Sequence, residues 1–275
     1  MVRLDITYDG SFAYGFQKQG ELETVQGTIE KVLKVVCGAY VPVVGASRTD
    51  RGVHALHNVV SFVAHDDHVY ERVSRRLPCM LPEWISVREI HRVDANFNAR
   101  FSATGKTYAY VFFKQGHWNP FFTRYAYRLD YPVQIAAMQD AAHALEGTHD
   151  FRDFGSIDPS RPHRNTVCTL RSVGIEETDH AIVFMVSGDH FLYHMVRRMA
   201  YFVLKAGQGR MSSETWNDVF SNDAPVPYTR QVITAGGLYL VAVEYAHSGC
   251  DIQDTSDDPN PLRAIGYDGA TTSRR

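Results

Sequence analysis

The chain is short of what a disulfide scaffold or a thiolate metal site requires. Its four cysteines, Cys37, Cys79, Cys168 and Cys250, lie far apart and form no C-x-x-C pair, so neither a disulfide framework nor a thiolate zinc site is expected. It also lacks any apolar run near the ~20 residues that a membrane helix needs. The opening, Met1 to Tyr8, alternates apolar and polar residues as a strand does and has no apolar signal-peptide core. Nor is there an excess of charge of one sign. The formal net charge is -3 over 275 residues, with 44% hydrophobic content, which excludes disorder for most of the chain. These absences leave a cytoplasmic, globular protein with no membrane partner, long enough for one large domain or two lobes.

The small net charge conceals an uneven distribution. Residues 71–128 hold ten Lys and Arg against four acidic residues, whereas residues 246–268 hold five Asp against one Arg. A solvated charged face with an acidic tail explains this as well as a basic surface for phosphate does. Charge does not choose between the two.

Periodicity organises the rest. Residues 2–8 read as a half-buried strand. Thr24 is placed to cap a helix whose apolar face is Val25, Ile29, Val32, Leu33 and Val36. Strands are expected near 40–47, 58–64 and 84–93, with a helix at 69–77 ending near Pro78. An aromatic strand over 105–113 follows. A second round comprises a helix at 132–146, strands at 166–177 and 180–187, helices at 190–206 and 212–221, and a last strand at 238–245. The expectation is an α+β fold of two ferredoxin-like lobes sharing a mixed, largely antiparallel central sheet. The lobes are placed at 1–104 and 105–246, with a disordered acidic tail over 247–275.

The segment most suggestive of chemistry is Gly45-Ala46-Ser47-Arg48-Thr49-Asp50-Arg51-Gly52-Val53-His54-Ala55. Arg48 and Asp50 are two apart, so in extended backbone their side chains leave on the same side. A guanidinium beside a carboxylate favours its ionised form, which suits a nucleophile or a base. On spacing alone, an ordinary ion pair at a turn is the plainer reading.

This segment resembles the R-T-D-x-G-V-H-A signature of the TruA family of tRNA pseudouridine synthases. Further matches follow in family order. Tyr8-Asp9-Gly10 through Gly15-Phe16-Gln17-Lys18-Gln19 resembles the amino-terminal motif, and Asn98-Ala99-Arg100-Phe101-Ser102-Ala103 with Lys106-Thr107-Tyr108-Ala109-Tyr110 resembles the central one. Gly147-Thr148-His149-Asp150-Phe151, Phe191-Leu192-Tyr193-His194-Met195-Val196-Arg197 and Gly237-Leu238-Tyr239-Leu240 complete the set. The resemblance spans about residues 2–245. It implies a catalytic aspartate at Asp50, paired with Arg48, a target base stacked on Tyr108, and Arg197 near the catalytic carboxylate. It further implies a homodimer whose two subunits contact one tRNA, with target uridines at positions 38–40 of the anticodon stem-loop. No metal and no organic cofactor are implied. The chain departs from the family pattern at Phe16 (usually tryptophan), Ser47 (usually glycine), Arg51 (usually alanine) and residues 232–236.

Other patterns have plain structural readings. Asp50, His54 and His57 have the residue types of a metal site, but His57 opens an expected strand and no further carboxylate is near. Without the family, Tyr108 reads as a core aromatic and Arg197 as part of a solvated basic helix face. Gly207-Gln208-Gly209 is expected to end its helix through positive φ. A non-catalytic RNA-binding module would also account for the basic segment and the aromatic strands.

Overall fold

A computed structural model describes residues 1–156, 165–221 and 226–246. The chain forms two compact units, one from Met1–Thr104 together with the last strand from Tyr239, the other from Gly105 to Leu238. The acidic stretch from 247 onward falls outside the described residues.

The first unit opens with β1 (Val2–Tyr8), followed by α1 (Val25–Cys37), β2 (Val44–Gly45), β3 (His54–Phe62), α2 (Asp67–Met80) and β4 (Ile85–Arg92). β1 lies between β3 and β4, antiparallel to both, and β2 pairs with β3. Thr24 caps α1 as its sequence position implies, its side chain accepting the Gly27 N–H, and Gly38 closes the helix at φ 75°. Ile29 and Leu33 are wholly buried, each burial worth about 1.5–3 kcal/mol. α2 continues to Met80 despite Pro78. A proline so near the carboxyl end forfeits a single backbone donor.

The second unit holds β5 (Ala103–Phe113) from Gly105 onward, then β6 (Tyr127–Arg128), α3 (Ile135–His143), β7 (Gly147–Asp150), β8 (Val167–Glu177), β9 (Ala181–Gly188), α4 (Met195–Gly207) and α5 (Ser213–Asn217). Its strands run in the order β5-β9-β8-β7, antiparallel throughout, with β6 parallel beside β5. The core is aromatic: Tyr110, Phe112, Phe113, Phe151, Phe154, Phe184 and Phe202 are fully buried. Gly209, at φ 66°, donates its N–H to Ala206 at the end of α4, as expected of that glycine pair.

The closing strand, β10 (Leu238–Tyr245), belongs with the first unit from Tyr239 onward. Sequence order places residues 239–246 in the second lobe, but Tyr239 and Leu240 pair in parallel with His54 and Ala55 of β3. Each unit therefore carries a mixed sheet with helices, and the fold is α+β as expected.

Candidate active-site loop

The loop that carries Arg48 and Asp50 connects β2 to β3, and its burial alternates. Ser47 and Thr49 are buried, Asp50 is half-buried, and Arg48 and Arg51 are exposed. Arg48 and Asp50 thus leave on the side away from the core, which is the arrangement that two-residue spacing in extended backbone produces.

Hydrogen bonds from three other segments hold the inward side. Asn58 of β3 is fully buried, and its side chain is fully used. Its Oδ1 accepts the Ser47 and Val59 N–H groups at 3.2 and 2.9 Å. Its Nδ2 donates to the Ser47 carbonyl at 3.1 Å and to the Tyr8 hydroxyl at 3.2 Å. The Tyr8 hydroxyl lies 2.8 Å from Thr49 Oγ1. The Thr49 carbonyl in turn accepts the Phe16 N–H at 3.0 Å.

Asp50 begins a tight turn. The Val53 N–H donates to the Asp50 carbonyl at 3.1 Å, and Gly52 stands between them at φ 81°. Positive φ at the third turn position is the type II requirement that glycine meets without strain. The Gly52 N–H donates to the Gly10 carbonyl at 3.2 Å, so the turn rests on the amino-terminal motif. The approach is close enough to exclude side chains: a Cβ on Gly10 would lie 2.0 Å from the Val53 carbonyl oxygen. Gly15 sits at φ 90°, and its Cβ would come within 3.0 Å of the Thr49 carbonyl oxygen. A Cβ on Gly45 would meet the Phe16 ring at 2.1 Å, so the phenyl ring fills its place fully buried.

His54 and His57 serve this scaffold separately. Three apart in β3, they face opposite sides of the strand. His54 Nδ1 accepts the Gly10 N–H at 3.2 Å beside the Asp9 carboxylate, and its ring stacks on Tyr239 at 4.9 Å. His57 Nε2 lies 3.1 Å from Asp5, and its Nδ1 faces the Val243 N–H. Asp5 also accepts two bonds from Arg3, at 2.7 and 2.6 Å. Burial pushes the Asp5 carboxyl up, but the bonds from His57 and Arg3 outweigh it and hold it below its ordinary value. Asp5, Glu89 and His91 come within reach of one another. The Arg3 guanidinium against Asp5 makes that cluster a poor cation site.

In the second unit, Tyr108 on β5 is 8% exposed and meets the edge of Phe191 at 5.0 Å. Arg197 on α4 donates its Nε–H to the Ile233 carbonyl at 2.8 Å, and the Tyr110 hydroxyl donates to the neighbouring Thr234 carbonyl at 2.8 Å. Tyr110 is held far above its ordinary value, chiefly by burial. Gly236 and Gly237 let this segment lie on its neighbours, since Cβ atoms there would reach 2.7 Å from the Arg124 carbonyl oxygen and 2.9 Å from the Tyr110 ring. α4 begins at Met195, later than the expected 190, because His194 turns the backbone at φ 63°. His194 stacks on Tyr193 at 3.8 Å and meets Ser156 Oγ at 3.1 Å. Sequence reasoning overlooked Asn58 and Tyr110. Asn58 had one available signal, an amide amid the apolar residues of β3.

Residues 141–246 match the family described as tRNA pseudouridine synthase. A protein of Acetivibrio thermocellus named tRNA pseudouridine synthase A is 36% identical over 244 residues, covering 89% of this chain and 99% of that protein. Proteins of the same name from Methylacidiphilum infernorum and Solibacter usitatus are 35% and 34% identical, covering 88% and 89% of this chain and 94% and 99% of their own.

Proposed function

We propose that this chain, which belongs to the tRNA pseudouridine synthase family, isomerises uridine to pseudouridine in the anticodon stem-loop of tRNA, at positions 38–40, with Asp50 as its catalytic carboxylate. The reaction breaks the N-glycosidic bond, turns the uracil and rejoins it to the ribose through carbon 5. It is redox-neutral and takes no group from outside, so a carboxylate and a pocket for an unstacked base are its main requirements.

The observation that carries the reading is the clamp on the loop. A reacting group must be held within about 0.5 Å of productive geometry by supporting residues. Asn58, Phe16 and Gly10 bind the backbone on both sides of Asp50, Tyr8 meets the Thr49 hydroxyl, and the Asp50 side chain is left directed away from the core. In this reading Asp50 either attacks the ribose or base, or removes a proton from the sugar. Arg48 orients the carboxylate, then helps to hold the flipped nucleotide. Tyr108 offers the face on which the extruded uracil stacks, a contact worth about 1–3 kcal/mol. Arg197, anchored on the Ile233 carbonyl, supports the carboxylate. The active form is a homodimer, with one tRNA contacting both subunits.

Single-nucleotide mapping of pseudouridine on unmodified tRNA tests the proposal, with Asp50→Asn run in parallel. The expected result is product at adjacent anticodon-arm uridines with the wild type, and none with the variant, which still binds tRNA. Product from a clean Asp50→Asn preparation would remove Asp50 from its role. Binding without product on a full set of tRNAs would identify a non-catalytic RNA-binding module.

A further inference from the structure

Beside Asp50, the structure places a cation with a built support. Arg51 occupies the second position of the 50–53 turn and is exposed. Its guanidinium lies over the Tyr14 ring, 4.2 Å from the centroid. Tyr14 is itself 42% exposed, and Gly15 follows it at φ 90°, where an added Cβ would lie 3.0 Å from the Thr49 carbonyl oxygen and 3.2 Å from the Arg51 amide nitrogen. The Tyr14 N–H, donated to the Glu23 carbonyl at 2.8 Å, fixes the other side of that loop. The same close packing that orients Asp50 therefore also seats Arg51 on an aromatic face.

Such seating changes what an exposed arginine can do. A free side chain must give up much of its rotamer freedom to hold a ligand, whereas a guanidinium already seated over a ring has lost part of it. Its fork of N–H donors can recognise two oxygens at once, which suits a phosphate. Arg51 follows Asp50 directly in the chain, so a phosphate there belongs to the nucleotide at Asp50 or to its immediate neighbour.

We infer that Arg51, held by Tyr14, is a substrate-binding residue that grips the RNA backbone phosphate at the target nucleotide. The inference rests on the reading of Asp50 given above and adds a residue to it. Loss of one phosphate contact lowers the salt dependence of binding by about one counterion, a signature that a merely structural role for Arg51 does not produce.

The test measures tRNA affinity across salt concentrations, together with kcat and KM, for wild type, Arg51→Ala, Arg51→Lys and Tyr14→Leu. Arg51→Ala should raise both Kd and KM about five- to tenfold, with the loss in kcat/KM carried by KM, and should reduce the salt slope by about one. Arg51→Lys should restore the slope. Tyr14→Leu should keep the slope and weaken binding by about two- to threefold, the scale of one exposed cation–π contact. An Arg51→Ala variant with the wild-type slope would overturn the inference, as would a fall in kcat at unchanged KM or a lysine variant that fails to recover the slope. Failure of the parent reading looks different: wild-type protein binds tRNA with its full slope but forms no product.

Discussion

A carboxylate is useful only where its backbone is held, and here one buried amide does much of the holding. Asn58 bonds both the N–H and the carbonyl of Ser47 and also donates to the Tyr8 hydroxyl, which lies against Thr49 Oγ1. Truncating it removes a partner from three buried backbone groups, and each left unsatisfied costs about 1–3 kcal/mol. Asn58→Ala should therefore lose at least about 2 kcal/mol of stability by urea denaturation, and its kcat should fall more than its affinity for tRNA. A loss under about 0.5 kcal/mol would show that the loop is held by other means. At this scale the turn that follows Asp50, with Gly52 at positive φ, is the part most open to sequence reading, because turn chemistry is local. The sequence was silent about Asn58, whose importance comes from Ser47, eleven positions away, and Tyr8, fifty positions away. The Arg51–Tyr14 stack was equally hidden, since it joins two loops that only the folded backbone brings together.

Long periodic elements were the most legible. β1, α1, β5, β8, β9 and β10 follow from alternation, capping and aromatic content, because burial on one or both faces selects those patterns. The short pieces β2, β6 and β7 were not legible in this way. Residues 40–47 form a strand only at Val44–Gly45, because the remaining residues turn to meet α1 and the active-site loop. One element also carries a pH dependence. β1 contributes the buried pair Arg3 and Asp5, with His57 of β3 on the same carboxylate. The folded Asp5 carboxyl is lowered from 3.8, so its contribution is fully present above that value and is lost as pH falls through the lower folded value. Thermal unfolding of wild type and Asp5→Asn should accordingly differ most above about pH 5 and converge toward pH 3. A difference in Tm that stays constant over this range would mean that the carboxylate charge contributes nothing.

At the scale of the whole molecule, charge and connectivity matter more than any single contact. The net charge of -3 conceals the ten basic residues of the 71–128 stretch, so tRNA affinity is expected to fall with added salt despite an acidic total. Connectivity has its test in Tyr239. This residue is buried, stacks on His54 and belongs to a strand reached only after the entire second unit. Tyr239→Ala should destabilise the first unit by about 3–5 kcal/mol and depress kcat, as read by denaturation and product formation. A variant with wild-type stability would show that β3 does not need its parallel neighbour. The return of β10 to β3 also has a consequence during synthesis on the ribosome. The amino-terminal unit begins first but lacks a strand until about 140 more residues have been added. At translation rates of ~5–20 residues per second that wait lasts roughly 7–28 s. Through that interval the edge of β3 lacks its parallel neighbour, and the nascent chain is most open to chaperones or to mispairing.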